Sequence, residues 1–125
     1  MRPILASAFA ALVALPAAAQ VMPVDQTGYW TGVGIQPDGQ NWDMILTLYP
    51  DGALVDYPGL FCAGYWQFGE TGASSLRATE HLAAGFDICE DNLAVLAIAD
   101  RKGTLTITWS YADGAAAASA WLLRD

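Results

Sequence analysis

Glu80 is the residue whose place in the sequence most suggests chemistry. Within residues 75–82 it alternates in phase with Leu76, Ala78 and Leu82, so a strand here would turn its carboxylate toward the interior. A buried carboxylate must accept hydrogen bonds, from a tyrosine hydroxyl, a tryptophan N–H or a backbone amide, or else stay neutral. We therefore predict either a structural polar network around Glu80 or a carboxylate that binds a ligand or takes part in catalysis.

A second candidate region covers residues 57–66, where proline and glycine interrupt the strand pattern. Pro58 restricts its own backbone and that of the residue before it, while Gly59 and Gly64 permit close approach or a positive φ. Such a stiff segment presents aromatic side chains as a recognition surface, or it is a plain corner anchored by a cysteine. The candidate ligand-binding residues are therefore Glu80, Tyr57, Phe61, Tyr65 and Trp66.

Catalytic motifs are missing from the sequence. His81, the only histidine, is expected on the exposed face of its strand, and no Gly-x-Ser-x-Gly elbow, phosphate loop or paired zinc motif occurs. The acidic turn at residues 87–92 lacks the ligand spacing of a calcium loop. We predict no catalytic residue, metal or cofactor and do not expect an enzyme. A hydrolase that pairs two carboxylates among Glu70, Glu80 and Glu90 is the catalytic alternative.

The N-terminus has the pattern of a secretory signal peptide. Arg2 precedes an apolar stretch, and Pro16 is followed by three alanines that suit signal-peptidase cleavage. We predict a signal peptide at residues 1–19, an N-terminal extension at 20–28 and one β-domain at 29–125. The expected location is periplasmic or secreted. The residue after the predicted cleavage site is Gln20 and the first cysteine is Cys62, so no lipid-attachment cysteine is expected at the new N-terminus. The longest later apolar run, residues 93–99, is too short to span a bilayer.

The charge balance restricts the class of partner. The chain has 5 Lys and Arg against 13 Asp and Glu, a net charge of −8, and cleavage of the leader makes it about −9 because Arg2 is lost. Nucleic acid and anionic membranes are poor partners for such a surface, and stable membrane insertion is not expected. A cationic protein or cell-envelope component is the natural partner. The alternative is that the acidic surface only maintains solubility.

Two cysteines, Cys62 and Cys89, are the only ones in the sequence. In an oxidising compartment they most simply form one disulfide, although a pair of buried thiols is the alternative. Closing a loop of this length removes chain entropy worth about 3.5 kcal/mol from the unfolded state. The sequence therefore predicts a domain that depends on its disulfide.

Apolar and polar residues alternate along the chain between short turn signals, which is typical of half-buried strands. With turns about every ten residues, neighbouring antiparallel strands are expected, so we predict an all-β up-and-down barrel of about eight strands, with a two-layer sandwich as the alternative. The Ala-rich stretch near the end is interpreted as a closing strand. The predicted strands are residues 29–35, 42–49, 53–57, 64–69, 75–82, 86–89, 93–99, 104–111 and 116–124.

The chain has 5 tryptophans and 5 tyrosines. Most follow the strand periodicity and are expected in the core. Some of them would alternatively form a stacking surface or line the mouth of a barrel.

One pattern of residues extends over most of the domain, roughly residues 30–124. It consists of Trp30-Thr31-Gly32, then Tyr57-Pro58-x-Leu60-x-Cys62-x-Gly64-x-Trp66, then Glu80, Gly85 and Cys89. With it the chain resembles a group of small secreted bacterial β-domains, marked by a Tyr-Pro-x-Leu-x-Cys-x-Gly segment and a second cysteine downstream. The resemblance implies the β-fold and the disulfide, but no particular activity.

These features together predict a soluble, non-enzymatic extracytoplasmic module that binds a partner through its acidic surface and exposed aromatic residues. One concrete form is an inhibitor-like role toward a basic lysozyme-type protein, since opposite charges favour rapid encounter. The alternative is a carrier that holds a small amphipathic ligand inside the barrel, with Glu80 as the polar anchor. The oligomeric state does not follow from the sequence.

Overall fold

The protein is an eight-stranded antiparallel barrel, seen in a computed structural model that describes residues 26–124. Each strand pairs with the next along the chain, and the last pairs with the first, so the barrel is closed. The strands are β1 (Gly28–Ile35), β2 (Asn41–Tyr49), β3 (Gly52–Tyr57), β4 (Cys62–Thr71), β5 (Ser75–Ala84), β6 (Leu93–Ala99), β7 (Thr104–Ser110) and β8 (Ala116–Arg124).

The barrel predicted from the sequence is confirmed, and the sandwich alternative is not what forms. The Ala-rich closing strand is also confirmed as β8, which pairs with both β7 and β1. Closure leaves no strand edge free, which protects a small all-β domain from edge-to-edge association. The predicted signal peptide at residues 1–19 and most of the predicted extension lie outside the described residues. No helix in residues 26–124 is long and apolar enough to cross a bilayer.

One predicted strand, residues 86–89, is wrong. These residues belong to the loop between β5 and β6, residues 85–92, which we call the disulfide loop. Gly85 has a φ of 88°, and its carbonyl accepts hydrogen bonds from the backbone N–H groups of Ile88 and Cys89. The chain therefore turns locally, although apolar and polar residues alternate here as they do in a strand.

The inward side chains fill most of the barrel. In β7, for example, Leu105, Ile107 and Trp109 are buried while the threonines between them are half-buried, as the alternation predicts. The fully buried side chains from the other strands include Trp30, Met44, Leu46, Leu48, Trp66, Leu76 and Leu122. This packed interior supplies the hydrophobic stabilisation of the fold.

Several acidic residues serve the turns. The carboxylates of Asp38, Asp100 and Asp113 each accept a hydrogen bond from a backbone N–H two residues later, and Asp100 accepts a second from Thr104. These local bonds replace ladder bonds that a turn cannot make. Part of the negative charge of the chain therefore has a structural role.

Arg124 and Trp30 close one end of the barrel. The Arg124 guanidinium lies 4.7 Å from the centroid of the Trp30 ring, and its Nη1 donates to the Thr27 carbonyl at 2.7 Å. The Trp30 indole N–H donates to the Gln26 carbonyl at 3.1 Å. Cation–π contact and hydrogen bonds thus seal this end. We call it the closed end, and the opposite end the mouth.

The predicted disulfide joins Cys62 at the start of β4 to Cys89 in the disulfide loop, 27 residues later, with 6.5 Å between the two Cα atoms. A Cβ added at Gly85 would lie 2.5 Å from Cys62 Sγ, so only glycine fits beside the bridge. Asp91 adds a second attachment, because its carboxylate accepts a hydrogen bond from the Leu82 backbone N–H at 2.8 Å. The disulfide loop is therefore held against the mouth of the barrel.

Candidate functional site

The mouth contains a cavity of about 160 Å³. Strands β1, β3, β5 and β7 end at the mouth and β2, β4, β6 and β8 start there, so the cavity lies within the ring of their connecting turns. Its walls come from strand ends and from the disulfide loop. The lining residues are Gln36, Gln40, Trp42, Tyr57, Leu60, Glu80, Ile88, Cys89, Glu90, Leu93, Trp109, Tyr111, Ala117 and Ala118.

Glu80 lies at the base of this cavity and is 3% exposed. Its Oε1 atom accepts three hydrogen bonds, from the Tyr57 hydroxyl at 2.7 Å, Trp66 Nε1 at 2.8 Å and Trp109 Nε1 at 3.1 Å. The donors come from β3, β4 and β7, so the carboxylate ties together strands from different sides of the barrel. The prediction that Glu80 points inward is confirmed.

The second carboxylate oxygen of Glu80, Oε2, is differently placed. It accepts no hydrogen bond from residues 26–124. Within that range, Trp42 Nε1 is the side-chain nitrogen or oxygen that is fully buried and has no hydrogen-bond partner. Oε2 also has no partner but does not belong to that class, so it keeps some accessible surface. Since Glu80 lines the cavity, Oε2 is the acceptor that the cavity offers.

Three aromatic rings form the floor and wall of the cavity around Glu80. The centroids of Trp42, Tyr57 and Trp109 are 6.3–6.4 Å apart, with interplanar angles of 51–81°. These are the distances and tilts of aromatic rings in direct contact, so no ligand group fits between them. A ligand would instead lie on top of the rings and beside Glu80.

Trp42 is positioned by a glycine on the neighbouring strand. It pairs with Gly34 of β1, and a Cβ at Gly34 would lie 2.6 Å from the indole ring. The absence of a side chain at Gly34 lets the ring pack directly against this strand. Glycine is therefore required there for the shape of the cavity.

The cavity is electrostatically one-sided. Its lining includes two carboxylates, Glu80 and Glu90, and no lysine, arginine or histidine. The donors to Oε1 are all neutral groups, so none of them cancels a negative charge on Glu80. The site therefore favours a positive or hydrogen-bond-donating ligand.

The pKa of Tyr57 is shifted by this electrostatic environment. Burial, the negative charge of Glu80 and the hydrogen bond donated to Glu80 raise the pKa of Tyr57 well above its ordinary value of 10.0. The phenol therefore stays neutral and keeps its proton on the bond to Oε1.

This shift predicts a loss of stability in alkali. Above pH about 10 the Tyr57 phenol ionises in the unfolded chain but not in the folded one, so the unfolded state binds fewer protons and stability falls as the pH rises. We expect the difference in unfolding free energy between the wild type and Tyr57→Phe to shrink by about 1 kcal/mol from pH 10 to 11. Denaturant unfolding at pH 8, 10 and 11 measures it.

The matched control for this test is Tyr49→Phe, since Tyr49 is an exposed tyrosine of β2. Its unfolding free energy should follow that of the wild type at all three pH values. A Tyr57→Phe variant that keeps a constant difference from the wild type would show that Tyr57 does not hold its proton in alkali.

The structure places the five candidate residues in three settings. Glu80 and Tyr57 line the cavity, and Trp66 is buried beneath it as a donor to Glu80. Tyr65 lies on the outside of the barrel, where its ring stacks on His81 with 5.1 Å between centroids. Phe61 is 84% exposed at the corner before Cys62. Tyr57, Phe61 and Tyr65 therefore do not share one recognition surface.

The sequence analysis did not name Trp42 and Trp109 as site residues, although it allowed that some of the aromatic residues line the mouth of a barrel. A signal for them existed. In an up-and-down barrel the first residues of β2 and the last residues of β3 and β7 meet at one end, and Trp42, Tyr57 and Trp109 are inward positions there. Counting inward aromatic residues at each end of the barrel would have found the mouth.

The described part of the chain bears on the metal and hydrolytic alternatives. No group of three metal-ligating side chains occurs in it. Of the three carboxylates considered for hydrolysis, Glu80 and Glu90 line the same cavity, as that alternative requires, while Glu70 lies elsewhere. The Glu80 oxygen Oε1 is already engaged by three donors.

Large apolar side chains are exposed around the disulfide. Phe61 precedes Cys62, while Phe86 and Ile88 belong to the disulfide loop, and all three are more than half exposed. We call them the apolar rim. Phe61 also has a φ of 56°, which a bulky residue rarely adopts. The disulfide thus holds three apolar groups in solvent beside the mouth.

Comparisons with known proteins give the fold and no more. No family model and no curated protein matches the chain. Among solved structures it is similar to a redesigned β-barrel, with a TM-score of 0.58 and 15% identity over 79% of this chain and 90% of that chain. The fold and the site together define a small closed β-barrel with an acidic, aromatic cavity at one mouth.

Proposed function

We propose that the protein binds a small ligand in the cavity at the mouth of its barrel. The observation that carries the proposal is Glu80 itself, a buried carboxylate whose Oε2 faces an open cavity while Oε1 is held by three donors. A carboxylate needed only for structure would destabilise the fold less if both of its oxygens accepted hydrogen bonds. One unsatisfied oxygen in a preformed cavity that is lined mostly by apolar and aromatic side chains is the arrangement of a binding pocket.

The cavity has the dimensions and lining of such a pocket. A closed site of about 150 Å³ accommodates a benzene-sized molecule, and this one is of that size and open at one side. Below it the barrel is filled by side chains, so a ligand would occupy the mouth and not the centre. We also propose that the protein works outside the cytoplasm, since its disulfide is compatible with an oxidising compartment.

Native mass spectrometry of the protein purified from its host tests the proposal. We expect a small-molecule adduct that disappears when the protein is denatured and desalted. A bare polypeptide mass in repeated preparations, with no binding in small-molecule screens, would overturn it.

A cavity-filling variant adds a second test. Ala118 of β8 lines the cavity beside Trp109, its cross-strand partner on β7, so Ala118→Leu should occupy the ligand space and abolish the adduct. Ala116→Leu is the matched control, because Ala116 is an exposed residue of the same strand that does not line the cavity. An adduct that survives Ala118→Leu would place the ligand elsewhere.

A second function, binding to a basic protein, is favoured by the apolar rim. The disulfide loop surrounds Phe86 and Ile88 with Asp87, Glu90 and Asp91 and contains no cation. A partner with a basic surface and an apolar centre would match it, with the charges steering the encounter. This is the interaction expected for an inhibitor of a lysozyme-type or cell-envelope protein.

Binding to a purified basic lysozyme tests this second function. We expect binding that weakens with added salt and is lost in Phe86→Ser. Leu54→Ser is the control, since Leu54 is an exposed side chain on β3 away from the rim. Absence of binding at low salt, or binding that salt does not weaken, would contradict the proposal.

A further inference from the structure

We infer that the ligand of the mouth cavity is a small organic ammonium ion that carries N–H donors and an apolar body. This inference rests on the proposed function and specifies its ligand class. It follows from three features of the site taken together: the free oxygen of Glu80, the absence of a cation in the lining, and the aromatic floor.

The charge of the ligand follows from the hydrogen bonds at Glu80. Three N–H and O–H donors converge on Oε1, which suits a carboxylate anion, because an anion accepts hydrogen bonds and donates none. None of these donors is cationic, and Glu90 adds a second carboxylate to the lining. A ligand cation would therefore supply the positive charge that the lining lacks, whereas an anion would be repelled by the two carboxylates.

The hydrogen-bonding character of the ligand follows from Oε2. Oε2 is the unpaired acceptor beside the aromatic rings, and the other polar groups of the lining come from Gln36, Gln40, Glu90 and Tyr111. A primary or secondary ammonium group can donate an N–H to Oε2 at short range, whereas a quaternary ammonium has no N–H to give. The best match is an ammonium head with at least one hydrogen.

The apolar body of the ligand follows from the rings beside Glu80. Trp42 and Trp109 present faces and edges to the cavity, together with Leu60, Leu93 and Ile88. A cation held at Oε2 would also lie close to indole rings, which attract positive charge through their π-systems. Its apolar part would displace water from the remaining walls.

Four probes that share a phenyl ring separate charge from hydrogen bonding: benzylammonium, its neutral isostere benzyl alcohol, the bulkier benzyltrimethylammonium, and benzoate. The indole N–H signals of Trp66 and Trp109 in ¹H–¹⁵N NMR spectra report directly on Glu80. We expect benzylammonium to bind about tenfold more tightly than benzyl alcohol or benzyltrimethylammonium, and benzoate to cause no shift. Benzyl alcohol or benzoate binding as tightly as benzylammonium would overturn the ligand class while leaving a ligand-binding cavity in place.

The variant Glu80→Gln tests whether Glu80 is the residue that selects an ammonium ion. We expect it to abolish the preference for benzylammonium over benzyl alcohol while binding of benzyl alcohol persists, which also shows that the cavity is intact. Glu70→Gln removes the same charge away from the cavity and should keep the preference. If Glu80→Gln does not fold, titration of the wild type with the four probes still tests the ligand class. If no probe binds, the inference is wrong, and the native mass spectrum decides separately whether the cavity holds another class of ligand.

Discussion

Replacing Glu80 by leucine is expected to lower the free energy of unfolding by about 3–5 kcal/mol. Leucine resembles glutamate in size but accepts no hydrogen bond. The substitution would leave the Tyr57 hydroxyl and the indole N–H groups of Trp66 and Trp109 without the partner they share. All three residues are buried, so water cannot fully replace the lost acceptor. Urea denaturation of the purified variant measures the loss.

Three further variants show whether the loss comes from the hydrogen bonds. Glu80→Gln keeps a side-chain oxygen and should lose less stability than Glu80→Leu. Adding Tyr57→Phe to Glu80→Leu removes one of the stranded donors, so the double variant should be less destabilised than the two single changes predict together. Glu70→Leu, at an exposed position, should change stability by no more than about 0.5 kcal/mol. A Glu80→Leu protein as stable as the wild type would mean that the carboxylate does not hold the network together.

The sequence was sufficient to predict the inward position of Glu80 but not its partners. Alternation along β5 depends on the chain alone, because successive side chains of a strand point to opposite faces. Trp109 lies 29 residues from Glu80 and reaches it only because the barrel curves around and closes. That convergence depends on strand tilt and register, which local patterns do not contain.

The disulfide loop shows the opposite failure, in which a local pattern is present but has another cause. Phe86, Asp87, Ile88 and Cys89 alternate as a strand would, but the alternation arises because two exposed apolar groups flank an acidic one. The positive φ of Gly85 and the tie to Cys62 take these residues out of the sheet. A pattern of four residues is too short to distinguish a strand from a constrained loop.

Removing the disulfide by the double change Cys62→Ala and Cys89→Ala is expected to lower the free energy of unfolding by about 3.5 kcal/mol. The bridge closes a loop over a sequence separation of 27, which limits the conformations of the unfolded chain. Urea denaturation should show a lower midpoint, and the wild type in the presence of reductant should behave like the double variant. Equal midpoints for the oxidised wild type and the double variant would contradict this account.

The same variant should bind the proposed ligand more weakly, even under conditions where the barrel remains folded. Cys89, Ile88 and Glu90 line the cavity, and the disulfide is the covalent connection that holds them against the mouth. Once the disulfide is removed, the hydrogen bond from the Leu82 backbone N–H to Asp91 is left to restrain the loop, and a single bond to a carboxylate contributes only about 1.5–3 kcal/mol. The loop would then open in part of the population and expose the cavity wall.

NMR titration with benzylammonium at 10 °C should show weaker binding, while the indole signals of the core residues Trp30 and Trp66 stay dispersed. Unchanged affinity would mean that the barrel strands alone shape the site.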